Sequence, residues 1–139
     1  LHYTFPDAEI TGIDLSADML RIAKQRTKGV QLVQRAYDAP AGGFDLILCS
    51  YALTMFNPGW ERAIEVAEAD LNPGGIIAVV DFSHTSTPWF ARWMEKNHVR
   101  MQGHLWPHLR QRFISLSDTR YPAYFHLWHY GIYIGRKRD

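Results

Sequence analysis

The stretch that most limits how this chain can fold is Phe44-Asp45-Leu46-Ile47-Leu48-Cys49, an apolar run interrupted only by Asp45. Alternating apolar and polar residues mark a strand with one wet face. A near-continuous apolar run marks a strand covered on both faces, as in a parallel sheet. Small and polar residues follow (Ser50, Ala52, Thr54), with Tyr51 among them, and then Asn57-Pro58-Gly59, a strong loop signal. In open α/β sheets ligands lie just beyond the carboxyl ends of the strands, which would set Ser50 and Tyr51 at the mouth of a site. The competing reading is a core strand followed by an ordinary surface turn.

The flanking sequence repeats the same grammar. Glu9 to Leu15 reads as a strand whose last polar residue is Asp14. Ser16 is a helix N-cap, Met19, Leu20, Ile22 and Ala23 supply an apolar face, and Lys28-Gly29 stops the helix. Val30 to Ala36 is a second short strand, and Asp38-Ala39-Pro40-Ala41-Gly42-Gly43 is a loop. After the central run, Trp60 to Leu71 has helical spacing, with charges opposite its apolar residues. Asn72-Pro73-Gly74-Gly75 ends that helix, and Ile76 to Phe82 is the most strand-like run in the chain. The order strand, helix, strand, strand, helix, strand predicts an α/β sheet with parallel strands. Beyond it the spacing predicts a helix from Pro88 to about Gln102, a break at Gly103, and a short helix over Pro107 to Phe113. Two strands close the chain, Ile114 to Tyr121 and Tyr124 to Gly135. They are joined by a tight turn at Pro122-Ala123 and are therefore antiparallel, since no crossover helix fits between them.

The 139 residues suit a single domain with a substantial core, spanning 1–139. A formal net charge of +1 gives no pull toward nucleic acid. Cys49 is the one cysteine, so no internal disulfide can form, and a reducing, cytoplasmic setting is favoured. No apolar run approaches the ~20 residues of a membrane span. Arg136-Lys137-Arg138 reads as a solvated tail. His98, His104 and His108 do not have the spacing of a structural zinc site, and no metal is expected.

Taken in order, these segments resemble class I S-adenosylmethionine-dependent methyltransferases over nearly the whole chain. Gly12-Ile13-Asp14-Leu15-Ser16, followed by Met19-Leu20, resembles the family's second strand, whose terminal acid binds the ribose hydroxyls. Asp38-Ala39 resembles the next acidic loop, whose Asp meets the adenine amino group. Phe44-Asp45-Leu46-Ile47 resembles the fourth strand, Leu71-Asn72-Pro73-Gly74-Gly75 the turn into the fifth, and the closing strand pair is the family's ending. More narrowly, Ser50-Tyr51-Ala52-Leu53-Thr54-Met55, Val80-Asp81-Phe82 and Tyr130-Gly131-Ile132-Tyr133-Ile134-Gly135 are similar to the N-methyltransferases of betaine-lipid and phosphatidylethanolamine methylation. The family's first strand and Gly-rich turn should precede Asp14 by about twenty residues. Only thirteen residues stand there, with Gly12 the sole glycine. The expectation is therefore a doubly wound, Rossmann-like sheet, mostly parallel with an antiparallel C-terminal strand, lacking its first βα unit, with Leu1 to Phe5 matching the tail of the family's first helix.

The resemblance implies S-adenosylmethionine as cofactor and S-adenosylhomocysteine as product. It implies a small-molecule or lipid head-group acceptor, with an amine nitrogen preferred, no nucleic acid, and at most peripheral membrane contact; it allows a homodimer. Asp14 would accept both ribose hydroxyls, because an ionised carboxylate has two acceptor oxygens. The alternative is a strand-end acid or a helix-dipole partner beside Ser16. Asp38 would meet adenine, against a plain Asx-turn before Pro40. Leu15 and Ala39 would flank the adenine ring, Met19 belongs to the same cofactor-binding segment, and Ser50 and Tyr51 would lie near the sulfur and the acceptor. Tyr51 and His84 are the catalytic candidates, His84 touching the acceptor or relaying a proton unless it is a surface histidine. Asp81 is a weaker candidate for orienting the amine. Tyr51, Trp89, Phe90, Trp93 and Trp106 would wall a cage for a methylated ammonium, or else be core. Two rivals stand beside this reading. One is an NAD(P)-dependent oxidoreductase, which an upstream Gly-rich turn and a parallel last strand would favour. The other is a non-catalytic methyltransferase-like interaction module.

Overall fold

The computed structural model describes residues 4–139, and the chain falls into two compact units, Leu1–Ala39 and Pro40–Asp139. In the first, β1 (Ile10–Asp14) and β2 (Val30–Gln34) are joined by α1 (Ala17–Arg26) and pair in parallel, from Ile10 opposite Val30 to Asp14 opposite Gln34. α1 begins where the sequence places its cap: Ser16 is extended and its hydroxyl accepts from the Met19 N–H at 3.3 Å. Asp18 in the first turn and Lys24 and Arg26 in the last complement the helix dipole. A Cβ on Gly12 would stand 2.9 Å from Leu32 Cδ2, so only glycine lets that side chain close over β1. The helix tail expected at Leu1 to Phe5 lies partly outside the described residues; Thr4 and Phe5 take no helical conformation.

The second unit runs β3 (Phe44–Ser50), a 3₁₀ turn (Leu53–Met55), α2 (Trp60–Asp70), β4 (Leu71–His84), α3 (Pro88–Lys96), α4 (Leu105–Arg112), β5 (Phe113–Ala123) and β6 (Trp128–Lys137). Its sheet has the order β3-β4-β6-β5. β3 and β4 are parallel, with α2 as their crossover, and β6 is antiparallel to both of its neighbours. The architecture is thus α/β with a mixed sheet: helix-linked parallel strands and an antiparallel C-terminal hairpin.

One face of this sheet carries the core. Along β4 every second residue from Gly75 to Ser83 is buried, and Tyr133 stands across from Val79 on β6. α4 lies on that face: the Tyr133 hydroxyl donates to the Leu109 carbonyl at 3.1 Å, and Gly131 sits beneath the Trp106 ring. α2 adds Ala63, Ile64, Val66 and Ala67, and Trp60 at its start meets the His104 and His108 rings edge-on at 4.8 and 5.0 Å. Arg112 ties α4 to α2 through Glu65 and Glu68.

Four expectations need correction. β3 is not covered on both faces: Leu46 and Leu48 are 37% and 47% exposed, because they pair with Ile76 and Ala78 on the face opposite the one that carries the core. Asn72 to Gly75 are not a separate turn but an irregularity inside β4. Phe44 pairs with Leu71 and Leu46 already with Ile76, Gly74 takes φ +74°, and Asn72 Nδ2 donates to Asp45 Oδ1 at 2.9 Å across the kink. α3 stops at Lys96 rather than Gln102. His98 is left-handed at φ +64°, and the Val99 N–H turns back to the Met94 carbonyl, closing the helix end. The hairpin turn is not at Pro122-Ala123, both of which are paired with β6. Pro122 is tolerated because β5 is an edge strand with its other side unpaired. The reversal is made instead by Tyr124, Phe125 and His126, all left-handed at φ 47°, 55° and 66°.

Candidate functional site

In the first unit the parallel pairing decides where the two acids stand. Asp14 is the last residue of β1 and is half-buried. Its Oδ1 accepts from the Ser16 N–H at 2.7 Å, and its carbonyl accepts from the Arg35 N–H at 3.2 Å. One carboxylate oxygen is therefore engaged in orienting the side chain beside the N-terminus of α1. Asp38 follows the carboxyl end of β2 in an exposed loop, whose carbonyl at Ala39 is held by Arg35 Nη1 at 2.8 Å. Because β1 and β2 are neighbours running the same way, both acids leave the same end of this unit. Leu15, Met19 and Ala39 are exposed at that end or on the first turn of α1. Large apolar side chains left uncovered beside two acids are the kind of surface a flat, polar-edged ligand would use.

In the second unit the carboxyl end of β3 is shaped by a buried polar knot. Asp81 is fully buried on β4; its carboxylate takes the Thr54 N–H at 3.1 Å, the Thr54 hydroxyl at 2.5 Å and its neighbour's N–H, from Phe82, at 2.8 Å. Burial raises its pKa, and the hydrogen bonds from Thr54 and from the backbone of Phe82 and Leu53 pull the other way without cancelling the shift. Asp81 therefore fastens the 3₁₀ turn to the sheet instead of orienting an amine. A second buried acid, Asp70, accepts the Ala41 and Gly42 N–H groups at 2.7 Å each, fixing the approach to β3. The sequence carries no mark of either role beyond an acid at the end of an apolar element.

Ser50 ends β3 and is exposed. Tyr51 follows at φ +50°, its N–H bonded to the Val80 carbonyl at 2.7 Å. Non-glycine residues seldom hold that conformation, and such strain collects at functional positions. The phenol of Tyr51 is shifted upward by burial, then by Tyr130 and by Asp81, so at neutral pH it remains a hydrogen-bond donor rather than a base. Its ring contacts Phe82 at 5.0 Å and Trp128 at 6.4 Å, with Phe82 and Trp128 4.9 Å apart. Tyr130 and Tyr121 continue the row across β6 and β5, with Trp128–Tyr130 at 6.0 Å and Tyr121–Tyr130 at 5.5 Å.

The expected cage is not assembled. Trp106 is buried on the α4 side beneath Arg120, whose guanidinium lies 4.0 Å from its ring. Phe90 is packed with Met94, Val99 and Met101, and Trp89 and Trp93 are exposed on α3. Tyr51, Phe82 and Trp128 pack on one another and leave no gap between ring faces for a cation. They make a continuous wall, not a cage. Phe82, Trp128 and Tyr130 were legible only as strand residues; the antiparallel register that aligns them with Tyr51 is a tertiary fact. His84, the last residue of β4, is exposed and stacks on His129 with centroids 4.4 Å apart and ring planes 4° apart. Burial lowers the His129 pKa, and the neighbouring His84 and His126 lower it further.

The family described as "Methyltransferase domain" matches residues 1–75, just over half of the chain. The chain belongs to that methyltransferase-domain family. Trans-aconitate 2-methyltransferase of Rhodopseudomonas palustris (strain BisB18) is 35% identical over 77 residues, covering 54% of this chain and 30% of that protein. The chain spans 30–40% of the length of the curated relatives it matches. Among solved structures, the N-methyltransferase NodS from Bradyrhizobium japonicum WM9, in complex with S-adenosyl-L-homocysteine, superposes with a TM-score of 0.75 at 17% identity, over 94% of this chain and 67% of that one. The [4+2]-cyclase SpnF superposes with a TM-score of 0.77 at 19% identity, over 97% and 70%. These likenesses show the fold.

Proposed function

We propose that the chain is part of an S-adenosylmethionine-dependent methyltransferase acting on a small-molecule or lipid-linked acceptor, with an amine nitrogen preferred. The observation that carries the reading is the pair Asp14 and Asp38, leaving the carboxyl ends of two adjacent parallel strands. In this reading Asp14 grips the ribose hydroxyls, Asp38 meets the adenine amino group, and Leu15, Met19 and Ala39 supply apolar cover to the base. The cofactor supplies a methyl already activated by a positive sulfur. Transfer is an in-line displacement, and the protein's part is alignment, an effect worth about 7–11 kcal/mol at best. An amine acceptor must reach the methyl uncharged, which desolvation against apolar walls favours.

Ser50 and Tyr51 would flank the sulfur and the acceptor. With its phenol protonated, Tyr51 orients the acceptor as a donor, while Phe82 and Trp128 exclude water from it. His84 would take the proton that the nitrogen sheds after methylation. The likeness to trans-aconitate 2-methyltransferase keeps a carboxylate oxygen as the second acceptor type. The antiparallel β6 weighs against an NAD(P)-dependent oxidoreductase. With the N-terminal segment that the family fold calls for restored, isothermal titration with S-adenosylhomocysteine tests the assignment: Asp14→Ala should weaken binding by more than about 1 kcal/mol, the scale of a hydrogen bond to a charged group. Unchanged affinity in that variant overturns the ribose role.

A further inference from the structure

A cleft of about 350 Å³ opens beside the turn that leaves β3, lined by Asn57, Pro58, Glu95, His98, Val99 and Arg100. That volume suits a small ligand. We infer that it binds a small zwitterion, a molecule with a carboxylate at one end and a protonated or quaternary amine at the other. The charge arrangement carries the inference. Glu95 and Arg100 both line the cleft, yet among the described residues neither makes an ion pair. Arg100 uses only its Nε, which donates to Gln102 Oε1 at 2.8 Å; its two terminal nitrogens make no hydrogen bond among the described residues. An acid and a base left unpaired in one cleft complement a ligand with both charges, while a singly charged ligand meets one group of its own sign. Pro58 and Val99 give the methylene chain between those charges an apolar surface.

The cleft is built, not incidental. The Thr54 carbonyl accepts from the Arg100 N–H at 3.1 Å and from Asn57 Nδ2 at 2.7 Å, and Thr54 is itself tied to buried Asp81. His98 holds φ +64°, a conformation rare for a side-chain-bearing residue, at the bend between Glu95 and Arg100. The cleft lies between the segment that follows the 3₁₀ turn and the C-terminal end of α3. A protonated or quaternary nitrogen has no lone pair to take a methyl, so the zwitterion is inferred as a bound ligand and not as the methyl acceptor, and its binding does not rest on the methyltransferase reading above.

The test uses NMR titration without cofactor. The probes are the ω-amino acids from glycine to 6-aminohexanoate, with the n-alkylamine and the alkanoate of each length as controls. One chain length should shift the Val99 methyl and Arg100 amide signals saturably, and at least fivefold more tightly than either control. Glu95→Gln and Arg100→Gln, both exposed positions, should each abolish that advantage while leaving the circular dichroism spectrum unchanged. The inference is overturned if no zwitterion outperforms its controls, or if neither variant alters binding. The titration is read without cofactor, so its outcome decides the cleft whatever the affinity for S-adenosylhomocysteine.

Discussion

Individual residues in this chain act mainly through what surrounds their charge. His104 shows it most clearly: burial, and then the positive charge of Arg100, lower its pKa from 6.5 to about 4, with Glu61 opposing. The folded imidazole stays neutral where the unfolded one takes a proton. Its contribution to stability is thus complete above pH 6.5 and is lost as the pH falls toward about 4. Urea unfolding of His104→Phe should show a shallower loss of stability than wild type between those two values. Asp81 runs the opposite way. Its pKa is raised, so the folded state holds the proton more tightly than the unfolded one. Stability attributable to that proton is present below the ordinary carboxylate range and declines as the pH rises through the folded value. The wild type should therefore lose stability relative to Asp81→Asn as the pH climbs through the acid range, measured by denaturation at a series of pH values. Thr54→Val removes one donor from this carboxylate and should cost about 1–3 kcal/mol, since a buried acceptor is left under-satisfied. The Cys49 thiol, pushed up to about 12 by burial and then by Asp81, should resist alkylation at neutral pH until the chain is unfolded.

Among the elements, the contact of α4 with β6 is the least forgiving. A Cβ at Gly131 would come 2.6 Å from two atoms of the Trp106 ring, which is itself sandwiched under Arg120. Neither neighbour can retreat without uncovering the other. Gly131→Ala should cost about 1–3 kcal/mol, the usual range for overpacking, with Trp106 fluorescence reporting the displaced ring. α1 stands at the other extreme. It has a good cap and a matched dipole but no buried residue, so local propensity supports it more than packing does.

Over the whole molecule, that contrast sets an order of local stability. β4 is paired on both sides and alternately buried along most of its length, and β6 is likewise flanked by two strands. Amide hydrogen exchange should be slowest in β4 and β6 and fastest in α1, with β1 and β2 between them. Protection in α1 equal to that in β4 would contradict this ranking. Each unit offers the carboxyl ends of one parallel strand pair.

Local pattern alone was enough to reveal most elements. The Ser16 cap, the apolar period of α2, the β4 run and the antiparallel ending could be read from spacing, because each depends on neighbours within a few residues. The place of Asp14 at a strand end was legible for the same reason, whereas Asp38 stood out only through the family resemblance; the roles of both are proposals. The errors fall where partners are distant in the chain. Leu46 and Leu48 looked buried because an apolar run does not say which face of the sheet carries the core. Pro122 looked like a turn because its place on a sheet edge is invisible locally. The supposed cage scattered, since Trp106 and Phe90 are claimed by different helices, and Tyr51 found Phe82 and Trp128 instead. What the residues determined by themselves was the succession of strands and helices; which aromatic rings and which unpaired charges came to share a surface was decided only when register and sheet order brought distant segments side by side.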